Sequence, residues 1–313
     1  MFLAGAAAYL TGVFMAVPRN VLGLNEQLLK LNEGLVWYSG IPILLACVLA
    51  AVDFFILLPF KRRAGLVANR PLAGAKVTVV LTAYNDEESI APAVRDFRSH
   101  PAVKRVIVVD NNSRDKTAEV ARAEGAEVIV EMNAGYGHCV HRCLSEGAKF
   151  DDTPLVVLCE GDMTFRAMDI DKLLAYAPHA DIVNGTRIVE QLRERRTQLS
   201  TFMFYGNFFV GKLLEAKHLG RGTFTDVGTT YKLCWRPALK ELLPVLNPAI
   251  NLEFNAHFLD TALAHDITVV ECPITFYPRV GASKGGNVNN WRAFKVGMRM
   301  IMSLLLGWKP RKL

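Results

Sequence analysis

The chain of 313 residues is long enough for one large α/β unit plus an accessory segment. Its hydrophobic share of 51% and mean hydropathy of +0.20 are high for a soluble enzyme, and the surplus sits mostly at the N-terminus. Lys and Arg outnumber Asp and Glu by 36 to 30. The basic clusters at 61–63, 193–196 and 309–312 suit anionic headgroups rather than a nucleic-acid stripe, and no nucleic-acid-binding signature is present. Six cysteines without framework spacing exclude a disulfide scaffold and fit a reducing compartment.

Residues 36–60 (VWYSGIPILLACVLAAVDFFILLPF) carry one charge, Asp53, and a stretch of about 20 apolar residues crosses a bilayer core. Residues 1–17 hold no charged side chain and form a second, marginal candidate span. They lack the basic leading region and cleavage site of a secretory signal. Lys61-Arg62-Arg63 follow the second span directly, which places the downstream chain in the cytoplasm. The expected anchor, residues 1–63, is a helical hairpin with both ends cytoplasmic; a single span with an interfacial N-terminal helix is the other option. Asp53 is either functional or an acid reaching the basic collar.

A linker with Gly65, Pro71 and Gly74 fills 64–75. A β-branched run, 76–83, ends at Tyr84-Asn85-Asp86-Glu87-Glu88, before a helix over 89–99. A strand at 105–109 ends at Asp110-Asn111-Asn112-Ser113, before a helix near 115–124 that Ser113 or Asp115 can cap. Residues 127–130 read as a short strand, 136–149 as a helix after a glycine turn, and 155–159 as an apolar strand that stops at Glu160-Gly161-Asp162. A helix over 169–177 and a strand over 181–184 follow, the latter leading to Gly185-Thr186-Arg187. This alternation with short loops implies a parallel, three-layer α/β sheet. Ligands in such sheets lie beyond the carboxyl ends of the strands, where these polar turns converge.

The second half is less regular. Residues 199–219 are apolar and aromatic, suiting either an amphipathic helix on a membrane surface or a core helix. Residues 226–231 read as a turn into a strand, 252–264 as a helix and 268–273 as a strand. A flexible basic stretch, 279–286, leads to an amphipathic helix over 289–306.

Two carboxylates separated by one glycine, Glu160 and Asp162, suit a hard divalent cation that also holds phosphate oxygens, and such a cation turns a nucleoside diphosphate into a leaving group. Thr82, Tyr84, Asp86, Asp110, Asn111, Glu160 and Gly161 are placed to receive a donor nucleotide. Arg187 is either a ligand to sugar or phosphate or a structural ion-pair partner. Arg279 and Lys284 are basic groups positioned to close over a diphosphate. No P-loop and no dinucleotide fingerprint follows a strand. His138, Cys139, His141 and Cys143 fall into two different helical pairings rather than one tetrahedral zinc set.

Taken in order, Thr82–Glu87 (TAYNDE), Val109–Thr117 (VDNNSRDKT), Asn133–Gly137, Glu160-Gly161-Asp162, Asp226–Tyr231, and Glu271–Phe276 followed by Arg279 and Ser283-Lys284 resemble the motif series of family-2 inverting glycosyltransferases. The resemblance is to the dolichyl-phosphate mannose synthase and polyprenyl-phosphate glycosyltransferase branch, over residues 77–286. It implies a GT-A fold, Rossmann-like with a mostly parallel sheet and flanking helices, over 76–288. Residues 289–313 would then be an interfacial helix and basic tail. It further implies a GDP- or UDP-linked sugar donor, a polyprenyl phosphate acceptor and Mg²⁺ or Mn²⁺ at Glu160 and Asp162, with Asp162, Arg187, Asp226, Arg279 and Lys284 as the catalytic set.

The chain departs from the series at Glu160 and Asn111, each standing where an Asp is expected, and at Gly228-Thr229-Thr230. A polysaccharide synthase's QxxRW is absent. A lipid phosphate is already anionic, so a strong general base is less necessary than for a hydroxyl. Arg193, Arg195 and Arg196, just before the membrane-seeking stretch, are candidates to receive that phosphate. Two further expectations stay open: a same-fold transferase using Glu253 as base toward a glycolipid hydroxyl, and a catalytically inactive membrane scaffold.

Overall fold

The computed structural model describes residues 1–22, 26–57, 68–72, 74–194, 197–281 and 290–309. The chain divides into two compact units, Met1–Gly65 and Leu66–Leu313.

The first unit is a helical hairpin. Helix α1 (Phe2–Leu22) packs antiparallel to α2 (Glu26–Tyr38) and α3 (Gly40–Val52), and a π-helical turn over Asp53–Leu57 extends α3. The approach is close because of glycine: a Cβ on Gly5 would lie 2.8 Å from Ser39 O, and one on Gly12 would lie 2.7 Å from Val36 Cγ2. Leu29–Ile56 is one helix long and apolar enough to cross a membrane, and Phe2–Met15 is a shorter apolar helix. This candidate span begins at Leu29 rather than at residue 36. Asn32 does not end it, because its amide turns inward and donates to Gly12 O.

In the second unit the order is β1 (Val77–Ala83), α4 (Glu87–Ser99), β2 (Val103–Asp110), α5 (Thr117–Ala123), β3 (Glu127–Val130), α6 (Tyr136–Gly147), β4 (Leu155–Glu160), α7 (Ile170–Tyr176), β5 (Ile182–Thr186) and α8 (Thr201–Lys217). Then come β6 (Lys232–Trp235), α9 (Arg236–Leu242), α10 (Phe254–Ala264), β7 (Val269–Pro273) and α11 (Asn290–Leu306). The seven strands form one sheet in the order β3-β2-β1-β4-β6-β5-β7. All run the same way except β6, which is antiparallel to both neighbours.

Every residue of β1 is buried, as a central strand covered on both faces requires. Alternation sends Val80 to one core with Val109, Leu144 and Leu158, and Val79 and Leu81 to the other with Ile90, Phe97 and Tyr231. Register aligns the strand ends that carry chemistry: Ala83 pairs with Asp110, and Thr82 with Glu160.

The turn into a strand read at 226–231 leads into β6, whose antiparallel direction the sequence did not show. Helix α8 has one side on the core and another that is exposed. Val210 and Leu214 are buried against the core, whereas Phe202, Tyr205 and Phe209 are exposed. Helix α11 behaves likewise, burying Met300 and Leu304 and exposing Trp291, Phe294 and Leu305. The two helices pack together, with the Phe202 and Phe294 rings 6.4 Å apart.

Candidate active site

The acidic turn after β4 is pressed against β1. Gly161 N donates to Thr82 O at 2.9 Å, and a Cβ there would lie 2.6 Å from Ile90 Cδ1, so a side chain between the two acids would have to displace the Ile90 tip. Asp162 is buried. Its Oδ1 accepts from Thr164 N at 3.0 Å, and its Oδ2 lies 3.1 Å from Arg279 Nη1. Glu160 Oε1 accepts from Thr230 Oγ1 at 2.6 Å. Burial, reinforced by the neighbouring Asp162 charge, pushes the Glu160 carboxyl up to about 7.

Arg279 also reaches Asp86, Nη2 to Oδ1 at 2.8 Å. Burial works against its charge, but Asp162 and Asp86 outweigh that and raise its pKa. One guanidinium therefore ties the loops after β1 and β4 to the segment following β7. Asp86 Oδ2 accepts from Tyr84 N at 3.0 Å, fixing the turn on which the exposed Tyr84 stands.

At the end of β2 the two candidate residues differ. Asp110 accepts from Ser113 N at 3.2 Å and from the Ser113 hydroxyl, and it stands outside the cavity lining. Asn111 lines the cavity, yet its amide is engaged within the chain. Nδ2 donates to Glu131 O at 3.1 Å and to Asn133 O at 2.7 Å, while Oδ1 accepts from Gly135 N at 3.1 Å. An aspartate could not make the two donations, which gives the Asn at this position a physical reason.

Arg187 and Asp226 meet as a buried two-point pair, Nε to Oδ2 at 2.7 Å and Nη2 to Oδ1 at 2.8 Å. Asp226 also accepts from Arg187 N and Gly228 N. Burial would raise the Asp226 pKa, but Arg187 holds it below the ordinary carboxylate value. The structure thus realises the ion-pair reading of Arg187 and leaves Asp226 fully engaged, while Arg187 still lines the cavity.

These groups border a cavity of about 900 Å³ with two chemistries. One end is polar, with Thr82, Asp86, Glu160, Asp162, Arg187 and Arg279. The other is apolar and lies between α8 and α11, where Phe202, Phe209, Val296 and Ile301 face it. Gly206 and Gly297 also line that end, and a Cβ at either would meet nothing within 4 Å.

Other sequence candidates lie elsewhere. Arg193 pairs with Glu190 at 2.6 Å, stacks on Phe204 and stands outside the cavity lining. Arg195, Arg196 and Lys284 lie outside the described residues. Glu253 is ion-paired to Arg299 of α11 and is likewise off the lining. Of the His and Cys candidates on α6, Cys139 alone borders the cavity, its Sγ donating to Val109 O, and His141 Nε2 faces Leu243 O at 3.2 Å.

Sequence reasoning missed Tyr136, Thr230, Lys232 and Asn255, which form a hydrogen-bonded group behind Glu160. Tyr136 follows a visible glycine turn, whereas Lys232 gave no signal because lysine ordinarily reads as surface.

Among the described residues no cluster of three or more His, Cys, Asp or Glu side chains surrounds a cation position. Glu160 and Asp162 supply two carboxylates held close enough to perturb one another. That donor set fits a divalent cation shared with phosphate oxygens rather than one caged by protein alone.

Residues 78–243 match the family described as Glycosyl transferase family 2. An uncharacterized glycosyltransferase of Mycobacterium tuberculosis is 45% identical over 117 residues, covering 37% of this chain and 50% of that protein, so the chain spans about half its length. The dolichyl-phosphate hexose transferase of Haloferax volcanii is 28% identical over 209 residues, 66% of this chain and 86% of that protein. Glucosyl-3-phosphoglycerate synthase from Mycobacterium tuberculosis, solved with Mn²⁺, UDP and phosphoglyceric acid, superposes with a TM-score of 0.55 at 18% identity, over 76% of this chain and 81% of that one. That likeness speaks to the fold, which is GT-A. With its family match running from β1 through α9, the chain belongs to glycosyl transferase family 2.

Proposed function

We propose that the chain is a membrane-associated inverting glycosyltransferase that moves a sugar from a nucleoside-diphosphate sugar, GDP-mannose or UDP-hexose, to a polyprenyl phosphate. One observation carries the reading: a single cavity joins an acid-and-arginine edge to an apolar slot between two helices. A donor with two phosphates suits the first end, and an isoprenoid chain suits the second. The dolichyl-phosphate hexose transferase among the relatives supports a lipid-phosphate acceptor.

Glu160 and Asp162 would hold Mg²⁺ or Mn²⁺, which when bound neutralises the donor diphosphate as a leaving group. Arg279 supplies positive charge at the same edge, and Arg187, its direction fixed by Asp226, supplies more beside the sugar or acceptor phosphate. An acceptor phosphate oxygen attacks the anomeric carbon, the bond from that carbon to the diphosphate breaks, and the nucleoside diphosphate departs with inversion. No proton need be removed from the acceptor. This suits a site in which Asp226 is engaged by Arg187 and Glu253 by Arg299.

Residues 1–63 act as the anchor. The basic collar 61–63 keeps the catalytic unit on the cytoplasmic face, and α8 and α11 turn their exposed aromatic residues to the bilayer surface.

The test uses the purified full chain in detergent with Mg²⁺ or Mn²⁺ and a panel of GDP- and UDP-sugars, with short-chain polyprenyl phosphate added or withheld. The expected result is nucleoside diphosphate release that needs both lipid phosphate and metal and is lost in Asp162→Asn. Release with hydroxyl-bearing glycolipids alone overturns the acceptor assignment, and nucleotide binding without any turnover overturns the enzyme reading.

A further inference from the structure

Lys232 has 0% exposure, an arrangement that costs free energy unless the ammonium group is used. It stands in β6 opposite Leu158 of β4 and Asn184 of β5. Its recorded hydrogen-bond partners are oxygens of uncharged groups: Nζ donates to Thr229 O and, at 3.5 Å, to Asn255 Oδ1.

From Asn255 the bonds run one way. Asn255 Nδ2 donates to Gly228 O at 3.1 Å, which fixes the orientation of the amide because a carbonyl only accepts. The same Nδ2 donates to Tyr136 Oη at 2.9 Å. The Tyr136 hydroxyl then donates to Thr230 Oγ1, and Thr230 donates to Glu160 Oε1 at 2.6 Å. A chain that starts at a group meeting only acceptors and ends at a carboxylate has its polarity set at both ends.

We infer that Lys232 is a positioning residue. Through Asn255, Tyr136 and Thr230 it fixes Oε1 of Glu160, and with it the orientation in which this carboxylate would be offered to a divalent cation. The inference rests on the reading of Glu160 as a metal ligand. Tyr136 and Asn255 line the cavity, whereas Lys232 acts from beneath it. Groups that orient a ligand in this way set metal affinity without touching the metal.

The experiment measures Mn²⁺ affinity of the full chain in detergent by electron paramagnetic resonance of free Mn²⁺, with and without GDP or UDP. Lys232→Met, Tyr136→Phe and their double variant are compared with wild type, alongside melting temperatures. Each single variant is expected to weaken Mn²⁺ binding about ten- to a hundredfold. The double is expected to be no weaker than the weaker-binding single, because a chain cut twice is no more cut than once. Thr230→Ser, which keeps the hydroxyl, retains affinity, and Thr230→Val loses it.

Wild-type affinity in both single variants, or losses that multiply in the double, overturns the inference while leaving the metal site standing. A wild-type chain that takes up no Mn²⁺ with either nucleotide overturns the metal site, and the inference with it. Should Lys232→Met fail to fold, Tyr136→Phe and the Thr230 pair carry the test.

Discussion

Arg279 Nη1 lies 3.1 Å from Asp162 Oδ2, so the carboxylate proposed to ligate a cation already has a cation beside it. Removing the guanidinium leaves Asp86, Asp162 and Glu160 crowded and without that countercharge. Arg279→Gln is expected to lose about 3 kcal/mol of stability in metal-free buffer. Mn²⁺ is expected to raise its melting temperature by more than it raises that of wild type. Thermal melts with and without the metal check both, and equal shifts in the two proteins would contradict the electrostatic account.

Asn111 presents the opposite case, a residue at the site whose chemistry is turned inward. Asn111→Asp introduces the acid that the motif resemblance leads one to expect but removes both donations, to Glu131 O and Asn133 O. A loss of about 2 kcal/mol is expected from unsatisfied buried groups, with faster amide exchange at Gly135 and Tyr136. Urea unfolding and hydrogen exchange measure the two effects separately.

Three buried groups give the metal-free protein a pH signature. Burial raises the carboxyls of Glu160 and Glu271 to about 7 and lowers the Lys232 ammonium to about 7. Between the ordinary carboxylate pKa and about 7 the folded state holds more protons than the unfolded state, so these acids make stability fall as pH rises. Between about 7 and the ordinary lysine pKa the unfolded state holds the extra proton, so Lys232 makes stability rise with pH. Lys232→Met is expected to flatten the alkaline rise and leave the acidic fall, as denaturation midpoints across that range would show.

The apolar slot makes a separate prediction. Gly206 sits in mid-helix and lines the cavity with open space around its Cβ position. Gly206→Ala is expected to stabilise the chain by about 0.5–1 kcal/mol, because glycine weakens a helix interior. Gly206→Leu, filling that space, is expected to raise KM for polyprenyl phosphate several-fold and leave KM for the sugar nucleotide unchanged. The same pattern is expected at Gly297.

Much of the sheet was readable because buried parallel strands announce themselves. The β-branched and apolar run VTVVLTA of β1 and the apolar LVVLC that precedes Glu160 in β4 both stop at polar turns. Glu160, Asp162 and Arg279 were legible for the same reason, being charged residues placed where strands or motifs end. What the sequence hid were contacts made across it. Nothing local in Asn111 says that its amide holds the turn at Gly135, nor in Glu253 that α11 sends Arg299 to meet it. The strand after 226–231 was legible, but neither its reversed direction nor the burial of Lys232 was, since a lysine ordinarily reads as surface.

The reversed strand also bears on how the protein is made. Strands β1 to β4 assemble from neighbouring segments, whereas β6 must slot between β4 and β5 after both have been synthesised. A nascent chain emerged only as far as β5 therefore already owns Glu160 and Asp162, with Thr164 on Asp162, but has neither Thr230 for Glu160 nor the Arg279 charge. Two like charges face each other at an open sheet edge at that stage. Arrival of β6 closes the edge and brings the Thr230 hydroxyl to Glu160, and the segment after β7 then brings the guanidinium. The acidic centre is thus translated well before the guanidinium that balances it, and in that interval it lies on an unpaired strand edge.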